Sequence, residues 1–275
     1  MIERIAKNLV NLKQEFAKKY DGSSHIQEVI PLTESRLFPF PVEHLDKLHL
    51  FASNNPVYYN YYEQKIGDTL CMVYEGDINK YWLNSIQYGS SRAPFSPTWI
   101  LSAFLGAMVA KDLGSKEIID IGSGDGRIAY CGKILGLESY SIEIDQMLVD
   151  LQEKIVKKSG IDFHRFCSDA TNFDYDKLEV NNPAFFIGGL AQMGGNSLAN
   201  PILEKISSKN EIKSKTTMVF AGTYSKKYAP DGSNLAGWGL LISKHNLKLI
   251  TTVLLPTVWA FREPDETPYL FTKFG

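Results

Sequence analysis

Apolar residues recur every three or four positions over the first 20 residues, which is the spacing of one face of an α-helix. Leu9 and Phe16 belong to this face, and the pattern predicts an amphipathic helix over residues 2–20. A second helix is predicted over residues 42–51, because prolines precede it and Asn54-Asn55-Pro56 breaks the chain after it. The chain therefore begins with helical structure.

An aromatic-rich stretch follows over residues 57–92, with one candidate strand at residues 69–74. The apolar stripe of the first helix needs a surface to cover, so we predict that residues 1–92 form a mainly helical N-terminal cap or lid. The aromatic cluster at residues 58–62 is expected to pack this cap on the rest of the chain. A wall of the substrate pocket is the alternative for that cluster.

Short apolar runs alternate with amphipathic stretches from residue 93 onward. Pro97 opens the first helix of this region and Gly114 closes it. Strands separated by helices predict a mostly parallel sheet with helices on both faces, and the last two strands predict an antiparallel C-terminal hairpin at its edge. The second predicted domain is 93–275. The predicted strands are 117–121, 139–144, 162–167, 184–188, 217–222, 247–255 and 268–273, and the predicted helices between them are 126–136, 146–159, 197–208 and 234–244.

Composition and charge narrow the class of protein. Apolar residues make up 44% of the chain and charged residues 22%, which is ordinary for a globular protein, and the net charge is -2. Such a charge gives no overall field for a phosphate backbone, so a nucleic-acid partner is not expected. The lysines of residues 205–215 are best explained as a solvated helix end.

The cysteine spacing indicates whether a metal site is expected, and the length of the apolar runs indicates whether a membrane span is expected. The three cysteines include no Cys-x-x-Cys pair, so no metal site is expected and the thiols are expected to be reduced. Charges interrupt residues 1–20, and the longest apolar run, residues 99–110, is shorter than the ~20 residues that cross a bilayer. We therefore expect a cytoplasmic protein with no membrane partner.

The sequence IIDIGSGDGRIAY carries the strongest chemical signal. A β-rich run ends at Asp120 and passes into Gly122, Ser123, Gly124 and Gly126 before a helix begins. Glycines allow a tight turn and a close approach of a ligand to the backbone, and a helix N-terminus offers amide donors. In a dinucleotide-binding turn the spacing is Gly-x-Gly-x-x-Gly, and here the third glycine comes one residue early, which disfavours a nicotinamide cofactor.

Two further strand ends carry groups suited to an adenosyl ligand. Glu143 ends the second strand, 23 residues beyond Asp120, close to the offset of about 20 expected for an acid that holds a ribose. Ile144 can pack on an adenine face, and Asp145 is the competing candidate for the ribose. After the third strand, Asp169 and Ala170 lie where an adenine amino group is expected. The four features follow one another in the order that a nucleotide site requires.

The motifs DIGSGDGR and SIEID resemble those of class I S-adenosylmethionine-dependent methyltransferases, over about residues 93–275. Within that class, SPTWILSAFLGAM followed by these motifs is similar to small archaeal protein-lysine methyltransferases. The resemblance implies a Rossmann-like fold and S-adenosylmethionine as cofactor. It also implies that Asp120, Gly122 and Gly124 surround the methionine part, that Glu143 holds the ribose, and that Asp169 with Ala170 contacts the adenine. Residues 96–98 would touch the methionine carboxylate.

The acceptor side departs from the lysine methyltransferases. After the fourth strand the chain reads GGLAQMGGN, where those enzymes carry a Leu-Pro-rich segment. The segment also lacks the Asn-Pro-Pro-Tyr motif of adenine-methylating enzymes and a cysteine for pyrimidine chemistry. Gln192 and Asn196 after strand four, and Tyr224 after strand five, are the candidates for contact with the acceptor.

The sequence thus predicts a methyltransferase that acts on a protein or small-molecule acceptor, with a protein lysine or another amine as one candidate target. Aminopropyl transfer of the polyamine-synthase type is the first alternative, although residues 188–190 supply no acid to bind the amine. A catalytically silent partner subunit with the same fold is the second.

Overall fold

The N-terminal segment combines helices with a small sheet. The computed structural model describes residues 1–87, 95–188, 195–221, 237–256 and 266–275. Three strands form an antiparallel sheet in the order β1-β3-β2. The elements are α1 (Ile2–Lys19), β1 (Ile26–Pro31), α2 (Val42–Asn54), β2 (Tyr58–Ile66), β3 (Thr69–Gly76) and α3 (Asn79–Gln87).

The sequence predicted α1, α2 and β3 of this segment, but it missed β1, β2 and α3. Helices hold more residues of this segment than strands do, so the description as mainly helical needs the addition of a sheet. All six residues of β1 are buried, including Gln27 and Glu28, so its pattern does not alternate. In β2, which is an edge strand, Tyr59 and Tyr61 are exposed. The clustered aromatic residues were interpreted as packing contacts, and the strand was therefore missed.

The rest of the chain builds the predicted seven-stranded sheet. Its order is β6-β5-β4-β7-β8-β10-β9. Five strands run parallel, and β10 is antiparallel to both β8 and β9, which confirms the mostly parallel sheet and the C-terminal hairpin. The elements are α4 (Ile100–Asp112), β4 (Glu117–Ile121), α5 (Arg127–Ile134), β5 (Glu138–Glu143), α6 (Gln146–Ser159), β6 (His164–Cys167), a 3-10 turn (Tyr175–Lys177), β7 (Pro183–Ile187), α7 (Gly195–Ser207), α8 (Asn210–Lys213), β8 (Thr217–Ala221), α9 (Gly239–Lys244), β9 (Leu247–Pro256) and β10 (Glu266–Phe274).

The N-terminal segment shares a hydrophobic core with one face of this sheet. Phe16, Phe40 and Phe104 belong to the same buried cluster as Ile118 of β4, and Phe40 meets Phe104 edge to face at 5.3 Å between ring centroids. Helix α1 packs on α4 and β9, and α2 packs on α5 and α6. The described residues 1–87 therefore cover the α4, α5 and α6 side of the sheet, while the boundary near residue 92 stays a prediction.

A second core lies on the opposite face of the sheet. Ile202 and Leu203 of α7 pack there with Phe185, Phe220 and Trp238. The sheet is thus covered on both faces, and its carboxyl edge is left to form a site.

In the described parts of the chain, no helix is both long and apolar enough to span a bilayer.

Candidate functional site

The turn between β4 and α5 is built on three glycines with left-handed backbone. The φ angles of Gly122, Gly124 and Gly126 are 64°, 58° and 77°, a region that other residues adopt at a cost. A Cβ on Gly122 would meet no atom within 4 Å, whereas one on Gly124 would lie 2.7 Å from the ring of Phe95. The turn is therefore open at Gly122, where a ligand can approach the backbone.

Glu143 at the end of β5 is joined to this turn. Its Oε2 accepts a hydrogen bond of 2.8 Å from the backbone N–H of Gly124, and its Oε1 accepts from the N–H groups of Ile144 and Asp145 at 2.9 and 3.0 Å. Burial raises the pKa of Glu143, which is 4% exposed, and the three amides act against that rise. A carboxylate has about four acceptor positions, so one position remains for a ligand hydroxyl.

Ile144 and Asp145 differ in what they can offer a ligand. Ile144 is 41% exposed at the carboxyl edge of the sheet. Asp145 is buried and caps α6, because its Oδ1 accepts from the N–H of Met147 at 2.9 Å. Both Glu143 and Asp145 accept backbone N–H groups, so Asp145 stays the competing candidate for the ribose.

The loop after β6 lies beside the end of β5. The backbone N–H of Ser168 donates to the carbonyl of Glu143 at 2.8 Å. Asp169 Oδ1 accepts from the N–H and the hydroxyl of Thr171 at 2.8 and 2.7 Å, and the carbonyl of Ala170 accepts from Tyr175 at 2.8 Å. The predicted adenine contacts are thus held rigidly next to the predicted ribose contact.

A buried polar network supports the glycine turn from below. Ser123 Oγ lies 2.6 Å from Ser141 Oγ, and Ser141 donates to Gln152 Oε1 at 2.6 Å. The side-chain Nε2 of Gln152 donates to Ser123 Oγ at 3.0 Å and to the carbonyl of Gly124 at 2.8 Å. This closed set of hydrogen bonds holds the glycine turn against Ser141 of β5 and Gln152 of α6, and of its side chains only Ser123 was predicted from sequence.

Asp120 lies in β4 directly before the turn and is 3% exposed. Its Oδ2 accepts from the N–H of Ala129 at 3.4 Å. Burial raises the pKa of Asp120 well above its ordinary value, and the carboxylates of Asp125 and Glu143 add to the rise. A buried acid of this kind favours a cationic neighbour.

Arg127 and its partners form a second part of the site that the sequence did not predict. The guanidinium is 2% exposed and makes a two-point ion pair with Asp125, with Nε–Oδ1 at 2.9 Å and Nη2–Oδ2 at 2.6 Å. Its Nη1 donates to Glu28 Oε1 at 2.5 Å and to the carbonyl of Thr98, and its Nη2 lies 3.3 Å from the Tyr58 hydroxyl. The available signal was a charged residue, Glu28, close to the apolar residues Ile26, Val29 and Ile30 of β1.

The segment before α4 has neighbours on two sides. Phe95 packs on Gly124, and Thr98 Oγ1 lies 2.8 Å from the Tyr269 hydroxyl. Ser96 lines a cavity of about 270 Å³ between this segment, α1 and β1, together with Lys13 and other residues. The expected contact of residues 96–98 with a methionine carboxylate stays a prediction.

The acceptor candidates lie in or beside parts of the chain that the structure does not describe. Gln192 and Tyr224 lie outside the described residues, and Asn196 lies in the first turn of α7, so all three stay predictions. His49 is held by the Tyr74 hydroxyl and the Pro31 carbonyl at 3.0 and 3.1 Å, a structural role. Over the ranges described, no group of three or more His, Cys, Asp or Glu residues could hold a metal.

Comparisons with known proteins found similar solved structures. No family model and no curated protein matches the sequence. Similar structures include the Pyrococcus abyssi tRNA (uracil-54, C5)-methyltransferase in complex with S-adenosyl-L-homocysteine, with a TM-score of 0.49, 10% identity, and coverage of 78% of this chain and 44% of that one.

Two further similar structures are the ribosomal protein L11 methylase of Lactobacillus delbrueckii subsp. bulgaricus and the precorrin-6y C5,15-methyltransferase of Geobacter metallireducens. Their TM-scores are 0.44 and 0.42, at 12% and 15% identity. The similarity covers 66% of this chain and 81% of the first, and 62% of this chain and 87% of the second. These TM-scores are below 0.5, so the fold assignment rests on the strand order of this chain.

Proposed function

We propose that this protein is an S-adenosylmethionine-dependent methyltransferase whose cofactor lies along the carboxyl ends of β4, β5 and β6. The observation that carries the proposal is the bond between Gly124 and Glu143, which brings a glycine turn and a ribose-type acid to one point. In this arrangement Asp120 and Gly122 lie at the methionine part of the cofactor, Glu143 at the ribose and Asp169 at the adenine.

The residues present fit such a cofactor. The space beside Gly122 leaves room for a ligand against the backbone. Glu143 has acceptor capacity left for a ribose hydroxyl, and Ile144 exposes an apolar side chain beside it. Asp120 is a buried carboxylate that an ammonium group would neutralise. When bound, the cofactor supplies an activated methyl group.

The acceptor in this proposal is a neutral amine, with a protein lysine as the leading candidate. Support comes from the resemblance of SPTWILSAFLGAM, DIGSGDGR and SIEID to the lysine methyltransferases, while the segment after the fourth strand of the sheet departs from them. An apolar, aromatic surrounding lowers the pKa of an amine and so favours the form that can attack a methyl group. The chain's task is then to position and desolvate the acceptor.

Calorimetric titration tests the donor half of the proposal. The protein is titrated with S-adenosylmethionine, S-adenosylhomocysteine and decarboxylated S-adenosylmethionine, alongside a Glu143→Ala variant. Binding of the first two that weakens in the variant is expected. Preference for the decarboxylated compound would indicate aminopropyl transfer instead, and absence of binding to all three would indicate a silent partner subunit.

Transfer of a labelled methyl group tests the acceptor half. The protein is incubated with labelled S-adenosylmethionine and, in separate reactions, with a cell protein fraction, an RNA fraction and a small-molecule fraction. Label is expected on lysine side chains of proteins. Label confined to RNA or to small molecules would overturn the amine proposal while leaving methyl transfer intact.

A further inference from the structure

We infer that the N-terminal segment positions the glycine turn through the buried ion pair of Glu28 and Arg127, so that ligand binding at the turn depends on how this segment is docked. Glu28 and Arg127 are positioning residues in this inference, because neither is placed against the ligand. The binding part of the inference rests on the proposed function, whereas the effect on the turn itself does not.

Every hydrogen-bond donor of Arg127 has a partner. A guanidinium carries five N–H groups. Two go to Asp125, and one each goes to Glu28, the carbonyl of Thr98 and the Tyr58 hydroxyl. These partners come from β1, β2, the segment before α4 and the glycine turn, so one side chain joins four parts of the chain.

Glu28 is satisfied in the same way from the N-terminal side. Its Oε1 accepts from Arg127 and, at 3.0 Å, from the Tyr58 hydroxyl. Its Oε2 accepts from the N–H of Ile100 at 2.9 Å, where α4 begins. A single carboxylate on β1 therefore holds both the start of α4 and the first residue of α5.

Asp125 connects this network to the geometry of the turn. It lies between Gly124 and Gly126, both in left-handed conformation, and its Oδ2 also accepts from the Asn55 side chain at 2.9 Å. Asn55 belongs to the N-terminal segment and is itself fixed by the N–H of Val57 at 3.1 Å. Movement of Asp125 would be passed to the N–H of Gly124, which bonds Glu143.

Burial makes the arrangement sensitive to the loss of one member. The side chains of Arg127, Glu28 and Asp125 are at most 3% exposed, so water cannot replace a missing partner. Removing one charge leaves the opposite charge uncompensated in the interior. Burial works to lower the pKa of Arg127, but Asp125, Tyr58 and Glu28 outweigh it and the pKa is raised, so the guanidinium stays charged.

The test compares Glu28→Gln with a variant that destabilises the same strand without touching the network. Ile30 lies two residues along β1 and is fully buried, so Ile30→Val or Ile30→Ala, whichever matches the Tm of Glu28→Gln, is the control. Tyr58→Phe, which removes only one hydroxyl from the network, replaces Glu28→Gln as the test variant if Glu28→Gln does not fold. Hydrogen–deuterium exchange is measured on peptides covering residues 96–101 and 121–128, without ligand.

Faster exchange in both peptides of Glu28→Gln or Tyr58→Phe, with little change in the control, is the expected result. Equal exchange in network and control variants would overturn the inference, because the pair would then act on stability alone. If the wild type binds S-adenosylhomocysteine, its Kd is expected to rise about 5- to 150-fold in Glu28→Gln, the range of a typical coupling between sites. If the wild type does not bind, the proposed function fails while the exchange data still decide the inference.

Discussion

Glu143 and Gly124 are joined by a hydrogen bond of 2.8 Å from the backbone N–H of Gly124 to Oε2 of Glu143. The bond connects the turn after β4 to the end of β5. Its donor is a backbone N–H group, which no sequence motif specifies. The same carboxylate that we assign to a ribose therefore also shapes the glycine turn.

Replacing Glu143 by Gln is expected to weaken S-adenosylhomocysteine binding about 10- to 100-fold. The uncharged amide loses charge-assisted bonds worth ~1.5–3 kcal/mol. Calorimetric Kd values provide the measurement. Asp145→Asn is the matched control, because Asn caps a helix as well as Asp and Asp145 is held by the cap. A larger loss in Asp145→Asn would reassign the ribose contact to Asp145.

A methyl group at Gly122 is expected to block the ligand site. Gly122 and Gly136 both have left-handed φ angles, 64° and 77°, and an added Cβ meets no atom at either. Each alanine variant should lose roughly 1–2 kcal/mol of stability from strain. Only Gly122→Ala should also lose ligand binding, since Gly136 lies in the turn after α5. Similar Kd values for the two variants would contradict a ligand at Gly122.

Asp120→Asn is expected to stabilise the ligand-free protein at pH 8. The pKa of Asp120 is raised by burial and by nearby carboxylates, so its contribution to stability is present at low pH and is lost as the pH rises through the folded-state pKa. Removing the charge recovers that loss, and each kcal/mol corresponds to ~2–4 °C in Tm. Thermal unfolding at several pH values is the measurement. A variant no more stable than the wild type at pH 8 would speak against a buried charge.

Ligand binding is expected to weaken as the pH falls and to release a proton near the pKa of Asp120. An ammonium group favours the ionised form of Asp120, whose pKa is raised by burial in the free protein. Calorimetry in two buffers with different ionisation enthalpies measures the released proton. The Asp120→Asn variant should show less dependence on the buffer, and an unchanged dependence would exclude Asp120 as its source.

The fragment of residues 93–275 is not expected to unfold cooperatively by itself. Without the N-terminal segment it would expose Phe104 and Tyr130, which are now fully buried, and would leave Arg127 without Glu28. Thermal unfolding followed by circular dichroism compares the fragment with the full chain. A cooperative fragment that binds S-adenosylhomocysteine would show instead that the predicted boundary separates an independent domain.

The seven-stranded sheet could be predicted because its strands are short apolar runs between helices. The range of β4 matches its prediction, β5 and β7 are shifted by one residue, and β8 ends one residue earlier than predicted. The glycine turn and Glu143 were predicted because backbone geometry and strand position constrain those residue types.

The rest of the site depends on contacts between distant residues. Glu28 and Arg127 are 99 positions apart, and no local sequence pattern predicts the contact between them. Gln152 lies on α6 as an ordinary helix residue, yet it closes the bonds under the turn. In β2, one of the two missed strands, tyrosines occupy both faces: Tyr59 and Tyr61 are exposed, whereas Tyr58 and Tyr62 are half-buried. Apolar and polar residue types therefore do not alternate along its sequence, and the period of two that marks a strand was not visible.

The packing of α1 on β9 joins two elements more than 200 residues apart in the chain. During translation α1 is made well before β9, so its apolar face cannot be fully covered until late in synthesis. Contacts of such sequence separation slow folding and leave apolar surface exposed in the meantime. The N-terminal segment, which we propose to position the glycine turn, thus also carries apolar surface that is exposed to aggregation until β9 has been made.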